Sequence, residues 1–139
     1  MKILIINGVN LNNIGIRETN IYGKEDFFSY LDKIKYQFTC QIDYFQSNNE
    51  SEIVEKIHKA RGENYIGIVL NAGAFSHTSV AIRDAIVATE TKVVLVHISN
   101  TYKREFFRQQ EIIAPVCCCI ITGFGLNSYK LGVVSLLDI

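Results

Sequence analysis

Two short segments carry side chains that could move a proton. One runs from Asn71 to His77 with small residues between them, and the other runs from His97 to Asn100. Imidazole exchanges protons near neutral pH, and neighbouring hydroxyl and amide groups can orient a substrate. The turn after Asn71 leads to a helix N-terminus, where free backbone N–H groups favour an anion. The sequence predicts acid–base chemistry on a small anionic molecule. An ordinary capped turn explains the first segment equally well.

The long polar stretch from 9 to 24 contains a second candidate pair, Arg17 and Tyr22. A loop of this length in a compact domain often serves as a lid. An arginine beside a tyrosine stabilises phenolate and lowers the phenol pKa from about 10. Such a phenolate could remove a proton next to a carbonyl group. The alternative is a surface turn in which Tyr22 packs its ring on the core.

Arg104 and Arg108 lie four residues apart in a charged and aromatic segment. On a helical turn they would face the same way and could bind a carboxylate or hydroxyl groups. The alternative is a solvated charged face, which the run of charges alone favours.

Five apolar runs of strand type alternate with helical patterns, and the segment after each strand is rich in polar and small residues. We expect an α/β fold in which a doubly wound, five-stranded parallel sheet has helices on both faces, as a single domain over residues 1–139. Ligands bind such sheets beyond the carboxyl ends of the strands. The predicted strands span 2–6, 41–45 at a sheet edge, 66–70 at the centre, 92–98 and 116–122. Helices are predicted around Phe27–Phe38, around Ile53–Ala60, after a cap at Thr78 or Ser79, and over 126–137.

Composition excludes several classes of function. The formal net charge is zero, which argues against a nucleic-acid-binding surface. One long uncharged stretch, between Glu111 and Lys130, is interrupted by proline and glycine, and we expect no membrane span. Dinucleotide and P-loop motifs are absent, and no cluster has metal-ligand spacing.

Cysteine occurs at Cys40 and in the run Cys117-Cys118-Cys119. Side chains in a strand alternate between faces, so the run cannot converge on one metal. We expect small buried hydrophobic residues in a reducing cytoplasm.

Taken in order, these segments resemble the type II 3-dehydroquinate dehydratases over nearly the whole chain. The motifs that carry the resemblance are Ile6-Asn7-Gly8-Val9-Asn10-Leu11-Asn12, Gly15-Ile16-Arg17-Glu18, Ile21-Tyr22-Gly23, Phe45-Gln46-Ser47-Asn48, Asn71-Ala72-Gly73-Ala74-Phe75-Ser76-His77-Thr78-Ser79, Arg83-Asp84-Ala85, Val96-His97-Ile98-Ser99-Asn100 and Gly123-Phe124-Gly125. The resemblance implies a flavodoxin-like lyase that acts in the shikimate or quinate pathway without metal or cofactor. It also implies a homo-oligomer of trimers packed into a dodecamer. Lysine Schiff-base chemistry belongs to the unrelated type I enzymes.

The resemblance also assigns the proton transfers. Tyr22, with its pKa lowered by Arg17 and Arg104, would take the proton alpha to the ketone of 3-dehydroquinate. Asn10 would help to stabilise the enolate through a water molecule. His97 would protonate the departing hydroxyl, which yields 3-dehydroshikimate.

Substrate-binding roles follow from the same resemblance. Asn71 would hold the departing hydroxyl and orient His97. Ser99 and the backbone N–H groups of Ile98 and Ser99 would bind the substrate carboxylate. The remaining contacts would come from His77 and Arg108 to the ring hydroxyls, and from Asp84 of a neighbouring subunit.

One departure from the family pattern affects the reacting groups. Leu95 stands where the family usually has a glutamate, on the same strand face as His97. A carboxylate there would orient the imidazole and support its protonated form, and leucine can do neither. Glu105 is a candidate substitute. We therefore expect a slower enzyme, with a non-catalytic relative that binds a dehydroquinate-like ligand as the alternative.

Other departures alter the surroundings of the site. Val9 and Ala72 replace usual prolines, which would loosen the backbone near the enolate. Asn49, Ser51 and Phe106 also replace usual residues. A generic flavodoxin-like binding domain is the most remote alternative.

Overall fold

The computed structural model describes residues 1–15, 20 and 25–139. Within these residues, five parallel strands form one sheet in the order β2-β1-β3-β4-β5. The predicted α/β fold with a parallel sheet is confirmed, with the second strand at an edge and the third at the centre. The strands are β1 (Lys2–Asn7), β2 (Gln41–Gln46), β3 (Gly67–Asn71), β4 (Lys92–His97) and β5 (Cys119–Thr122).

Among the described residues, four α-helices connect or follow these strands. Three of them begin at a side chain that accepts a hydrogen bond from a backbone N–H group of the first turn, which satisfies one of the free donors there. The helices are α1 (Phe27–Gln37, capped by Asp26), α2 (Glu50–Ala60, capped by Asn49), α3 (Val80–Ala88, capped by Ser79) and α4 (Asn127–Asp138).

Apolar side chains cover both faces of the sheet. One core contains Ile3 and Val96 of the strands with Leu31 of α1 and Val133 of α4. The other contains Leu4 and Leu95 with residues of α2 and α3. Because successive strand residues point to opposite faces, each central strand contributes to both cores. This packing fixes the carboxyl ends of the strands, from which the polar segments continue.

The fifth strand is shorter than predicted. It begins at Cys119, because the preceding Ala114–Val116 forms a single 3-10 turn around Pro115. The expectation that the cysteine run is buried is also wrong. Cys118 is exposed and its two neighbours are half-buried, because the run lies at the start of the edge strand β5 and in the segment that leads into it, whereas Cys40 is buried.

Within the described ranges, no helix has the length and apolar character needed to cross a membrane.

Candidate active site

A cavity opens beyond the carboxyl ends of β1, β3 and β4. These strands lie side by side in the sheet, so the segments that follow them meet. Most of the predicted site residues line this cavity. Its walls are formed by Val9, Asn10, Leu11, Asn13, Ile14, Asn71, Gly73, Ala74, His77, His97, Ile98, Ser99, Thr101, Arg104 and Arg108.

Two histidines stack in the wall of this cavity. His97 ends β4 and is buried, and its ring lies 6.0 Å from the ring of His77 at an interplanar angle of 13°. His77 Nδ1 is 2.7 Å from the carbonyl oxygen of Gln110, so this nitrogen carries the proton and donates it to the carbonyl. The contact fixes the His77 ring and leaves its Nε2 as a hydrogen-bond acceptor when the ring is neutral.

A carboxylate that the sequence did not single out lies beside both rings. Glu111 Oε1 is 2.8 Å from His97 Nε2 and 4.0 Å from His77 Nδ1. The Glu111 side chain is only 9% exposed. The spacing of residues along the sequence does not predict this contact, because Glu111 lies in a loop and not on a strand or helix that also carries the histidines.

Asn71 is held by a buried chain of hydrogen bonds. Its Nδ2 donates to Tyr129 Oη at 2.8 Å, and Tyr129 Oη donates to Asn7 Oδ1 at 2.7 Å. Burial raises the pKa of Tyr129 far above its usual value, so the phenol stays neutral and can both donate and accept. The backbone N–H of Gly73 donates to Asn71 Oδ1 at 3.2 Å. Tyr129 was not among the predicted site residues, because it lies in the last helix, 58 residues along the chain from Asn71.

The loops after β1 and β3 approach each other closely. A Cβ on Gly8 would lie 2.4 Å from the carbonyl oxygen of Ala72, and one on Gly73 would lie 2.8 Å from that of Val9. The Gly8 N–H donates to the Asn71 carbonyl oxygen at 2.7 Å. Glycine at these two positions lets the two loops pack together.

Asn10 adopts a left-handed backbone conformation, with φ of 66°, at the cavity wall. Its backbone N–H donates to Asn48 Oδ1 at 2.8 Å. Asparagine tolerates this conformation better than most residues.

Arg104 and Arg108 line the same cavity although they do not share a regular helix. They lie in and beside two short 3-10 turns, Thr101–Lys103 and Phe106–Gln109. Their side chains are 13% and 23% exposed, so the interpretation as a solvated face is wrong.

Glu105 does not take the role suggested for it beside His97. Its Oε2 accepts a hydrogen bond from Arg108 Nε at 2.7 Å and lies 3.9 Å from Arg104 Nε. A backbone N–H group and the Arg108 guanidinium hold the pKa of Glu105 below its usual value. Glu105 therefore pairs with the two arginines and not with His97.

The remaining predicted site residues lie after β4, on α3 or outside the described residues. Ile98 is buried, and its carbonyl oxygen accepts from the Gly125 N–H at 3.0 Å. The Ser99 carbonyl oxygen accepts from Thr122 Oγ1 at 3.1 Å. Asp84 lies on the exposed side of α3, next to Arg83. Arg17 and Tyr22 lie outside the described residues.

In the part of the chain that is described, no three His, Cys, Asp or Glu side chains come together as a potential metal site.

Known proteins resemble this chain along its whole length. The model of the Dehydroquinase class II family matches residues 1–137. A 3-dehydroquinate dehydratase of a Nitratiruptor species is 49% identical over 139 residues, which cover 98% of this chain and 88% of that protein. The 3-dehydroquinate dehydratase of Campylobacter lari is 46% identical over 142 residues, covering 100% and 88%. The crystal structure of a type II dehydroquinase from Butyrivibrio crossotus superimposes with a TM-score of 0.94 at 42% identity, covering 99% of this chain and 97% of that one.

Proposed function

The chain belongs to the class II dehydroquinase family and is a hydro-lyase, a 3-dehydroquinate dehydratase, and from this premise we propose how its residues act. Residues 1–139 work as one catalytic domain whose substrate is 3-dehydroquinate. The observation that supports the site is the cavity at the strand ends, in which His97, His77 and Asn71 meet two arginines. The alternative of a non-catalytic relative is not favoured.

The reaction begins with removal of a proton alpha to the ketone. Tyr22 is the base in this proposal, and Arg17 and Arg104 stabilise its phenolate. The electron pair of the broken C–H bond moves onto the ketone oxygen and forms an enolate. Asn10, fixed at the cavity wall, helps to stabilise that oxygen through a water molecule.

The second step expels the hydroxyl. Protonated His97 donates its proton to the leaving oxygen while the enolate collapses, so that water departs and a conjugated enone remains. Asn71 holds the leaving hydroxyl and orients His97. The bonds from Tyr129 and Gly73 to Asn71 support this role, because they fix which way its amide faces.

Substrate binding uses charge and hydrogen bonds from residues that line the cavity. Ser99 and the N–H groups of Ile98 and Ser99 bind the carboxylate, while His77 and Arg108 hold the ring hydroxyls. The bidentate geometry of an arginine suits such oxygen-rich ligands. No step in this scheme uses a metal or a cofactor.

Assembly completes the site in this proposal. Asp84 is mostly exposed on α3, where it could reach the cavity of a neighbouring subunit in a trimer, with four trimers forming a dodecamer. Light scattering of the wild-type protein tests the subunit number. We expect Asp84→Ala to raise KM without dissociating the oligomer. An active monomer would contradict this part of the proposal.

We also propose a cytoplasmic location, which the four free thiols suit. Fractionation of the source cells tests it.

Tyr22→Phe tests the assignment of the base. Without the ionisable hydroxyl we expect turnover to be abolished while folding and assembly persist. Tyr36→Phe is the matched control, because Tyr36 is 94% exposed and its hydroxyl has no part in the scheme. Substantial residual activity in Tyr22→Phe would remove Tyr22 from this role.

The activity is measured by the absorbance of the enone after 3-dehydroquinate is added to the purified protein. We expect product without added metal, and we expect borohydride to leave the rate unchanged because no Schiff base forms. Folded, oligomeric protein that yields no product would contradict the proposed reaction.

A further inference from the structure

Glu111 is anchored on both sides to the turn that carries His77. The carbonyl oxygen of the preceding Gln110 accepts from His77 Nδ1 at 2.7 Å, and the N–H of the following Ile112 donates to the Ser76 carbonyl oxygen at 3.0 Å. Ile113 is fully buried in the same core as Leu95. The backbone of Glu111 is therefore fixed relative to the histidines.

The carboxylate of Glu111 is buried against His97. Oε1 lies 2.8 Å from His97 Nε2, yet the ring N–H does not point directly along this line, and neither carboxylate oxygen has an aligned hydrogen-bond donor among the described residues. A buried carboxylate without a counter-charge is costly, often by several kcal/mol. A proton on His97 Nε2 supplies a hydrogen-bond donor for this carboxylate, and a protonated ring also supplies the counter-charge.

The strand itself offers His97 no such group. Leu95 points to the same face of β4 as His97, is fully buried and packs in the core that contains Ile113. The carboxylate comes instead from the loop that connects β4 to β5.

We propose that Glu111 is the positioning residue of His97. Its carboxylate keeps the proton of the neutral ring on Nε2, supports the protonated ring, and leaves Nδ1 to exchange a proton with the leaving hydroxyl. In the elimination His97 gives the proton from Nδ1 and retains that on Nε2, so no proton passes to Glu111. The inference rests on the proposed role of His97 as the general acid.

Glu111→Gln removes the charge and keeps the size of the side chain. We expect kcat to fall at least about tenfold, because an orienting carboxylate is lost from a general acid, while KM changes less than about threefold, because Glu111 does not touch the substrate. Glu90→Gln is the control, since it removes a carboxylate from an exposed ion pair with Arg61. Control kcat equal to wild type and unchanged kcat in Glu111→Gln would overturn the proposal.

A second measurement does not depend on activity. Nitrogen-15 NMR of the wild-type imidazoles, with His97 assigned from the spectrum of His97→Gln, reports which ring nitrogen carries the proton. We expect the Nε2–H tautomer in wild type and a mixture in Glu111→Gln. A predominant Nδ1–H tautomer in wild type would overturn the role of Glu111. Wild-type protein with the expected tautomer but no turnover would instead contradict the proposed reaction.

Discussion

At the scale of single residues, the site depends on groups that hold the reacting side chains. Tyr129 joins Asn71 to Asn7 through one buried hydroxyl, and Glu111 lies against His97. In a buried setting each unpaired polar group has a free-energy cost, so these contacts fix orientation as well as stability. The proposed catalytic groups therefore depend on the residues behind them for their geometry.

Tyr129→Phe removes the bridging hydroxyl and leaves two buried amides short of a partner. We expect the free energy of unfolding to fall by about 1–3 kcal/mol and kcat to fall more than KM changes. Denaturant unfolding and steady-state kinetics measure both. Wild-type kcat in this variant would mean that Asn71 needs no support from α4.

Leu95→Glu places a second carboxylate in the core beside β4. Because Glu111 already faces His97, we expect no gain in kcat and a lower free energy of unfolding, by several kcal/mol, from the buried unpaired charge. Leu95→Met, which conserves volume, is the control, and it should lower the free energy of unfolding by less than about 1.5 kcal/mol. Faster turnover in Leu95→Glu would show that the Glu111 contact leaves His97 poorly supported.

At the scale of elements, the loops after β1 and β3 form one unit beneath the cavity. Their close approach requires glycine at Gly8 and Gly73, where a side chain would meet backbone atoms. The parallel sheet brings these loops together because β1 and β3 are neighbours. Val9 and Ala72, whose backbone atoms approach these glycines, therefore lie in closely packed backbone.

Gly8→Ala should separate these loops. The added Cβ would lie 2.4 Å from the Ala72 carbonyl oxygen, which is backbone and cannot rotate away. We expect a loss of roughly 1–3 kcal/mol in stability and a marked loss of activity. Gly62→Ala is the control, since its nearest contact would be an ordinary 3.7 Å. Equal stability of the two variants would contradict this account of the loops.

Sequence patterns predicted the elements well and the site's supporting contacts poorly. Apolar periodicity reports which face is buried, so β1, β3 and the four helices were predictable. Glu111 and Tyr129 reach the site through tertiary contacts with distant parts of the chain, and no local spacing encodes these. The turn at Pro115 shortened β5 because proline interrupts strand pairing, although the surrounding residues are apolar.

At the scale of the whole molecule, burial of thiol and phenol groups in their neutral form lowers the stability of the fold at alkaline pH. Burial raises the pKa of the Cys117 thiol from 9.0 to about 12 and that of the Tyr30 phenol from 10.0 to about 12. Both groups stay protonated in the folded chain at pH values where the unfolded chain already ionises.

The contribution of these two groups to stability should therefore be fully present below about pH 9 and fall between pH 9 and 12, as the unfolded chain loses protons that the folded chain keeps. Thermal unfolding across this range measures the effect. Cys117→Ser should weaken the dependence at the lower end of the range, because serine does not ionise there. A thermal unfolding midpoint that rises with pH above 9 would contradict the predicted loss of stability.

The most direct test of the account is the kinetics of His97→Gln beside the wild type, with 3-dehydroquinate as substrate. We expect wild type to form the enone and the variant to lose at least about 100-fold in kcat, because the leaving hydroxyl lacks its acid, while KM stays within a few-fold. A variant that turns over at the wild-type rate would contradict the assignment of His97 as the general acid of this cavity.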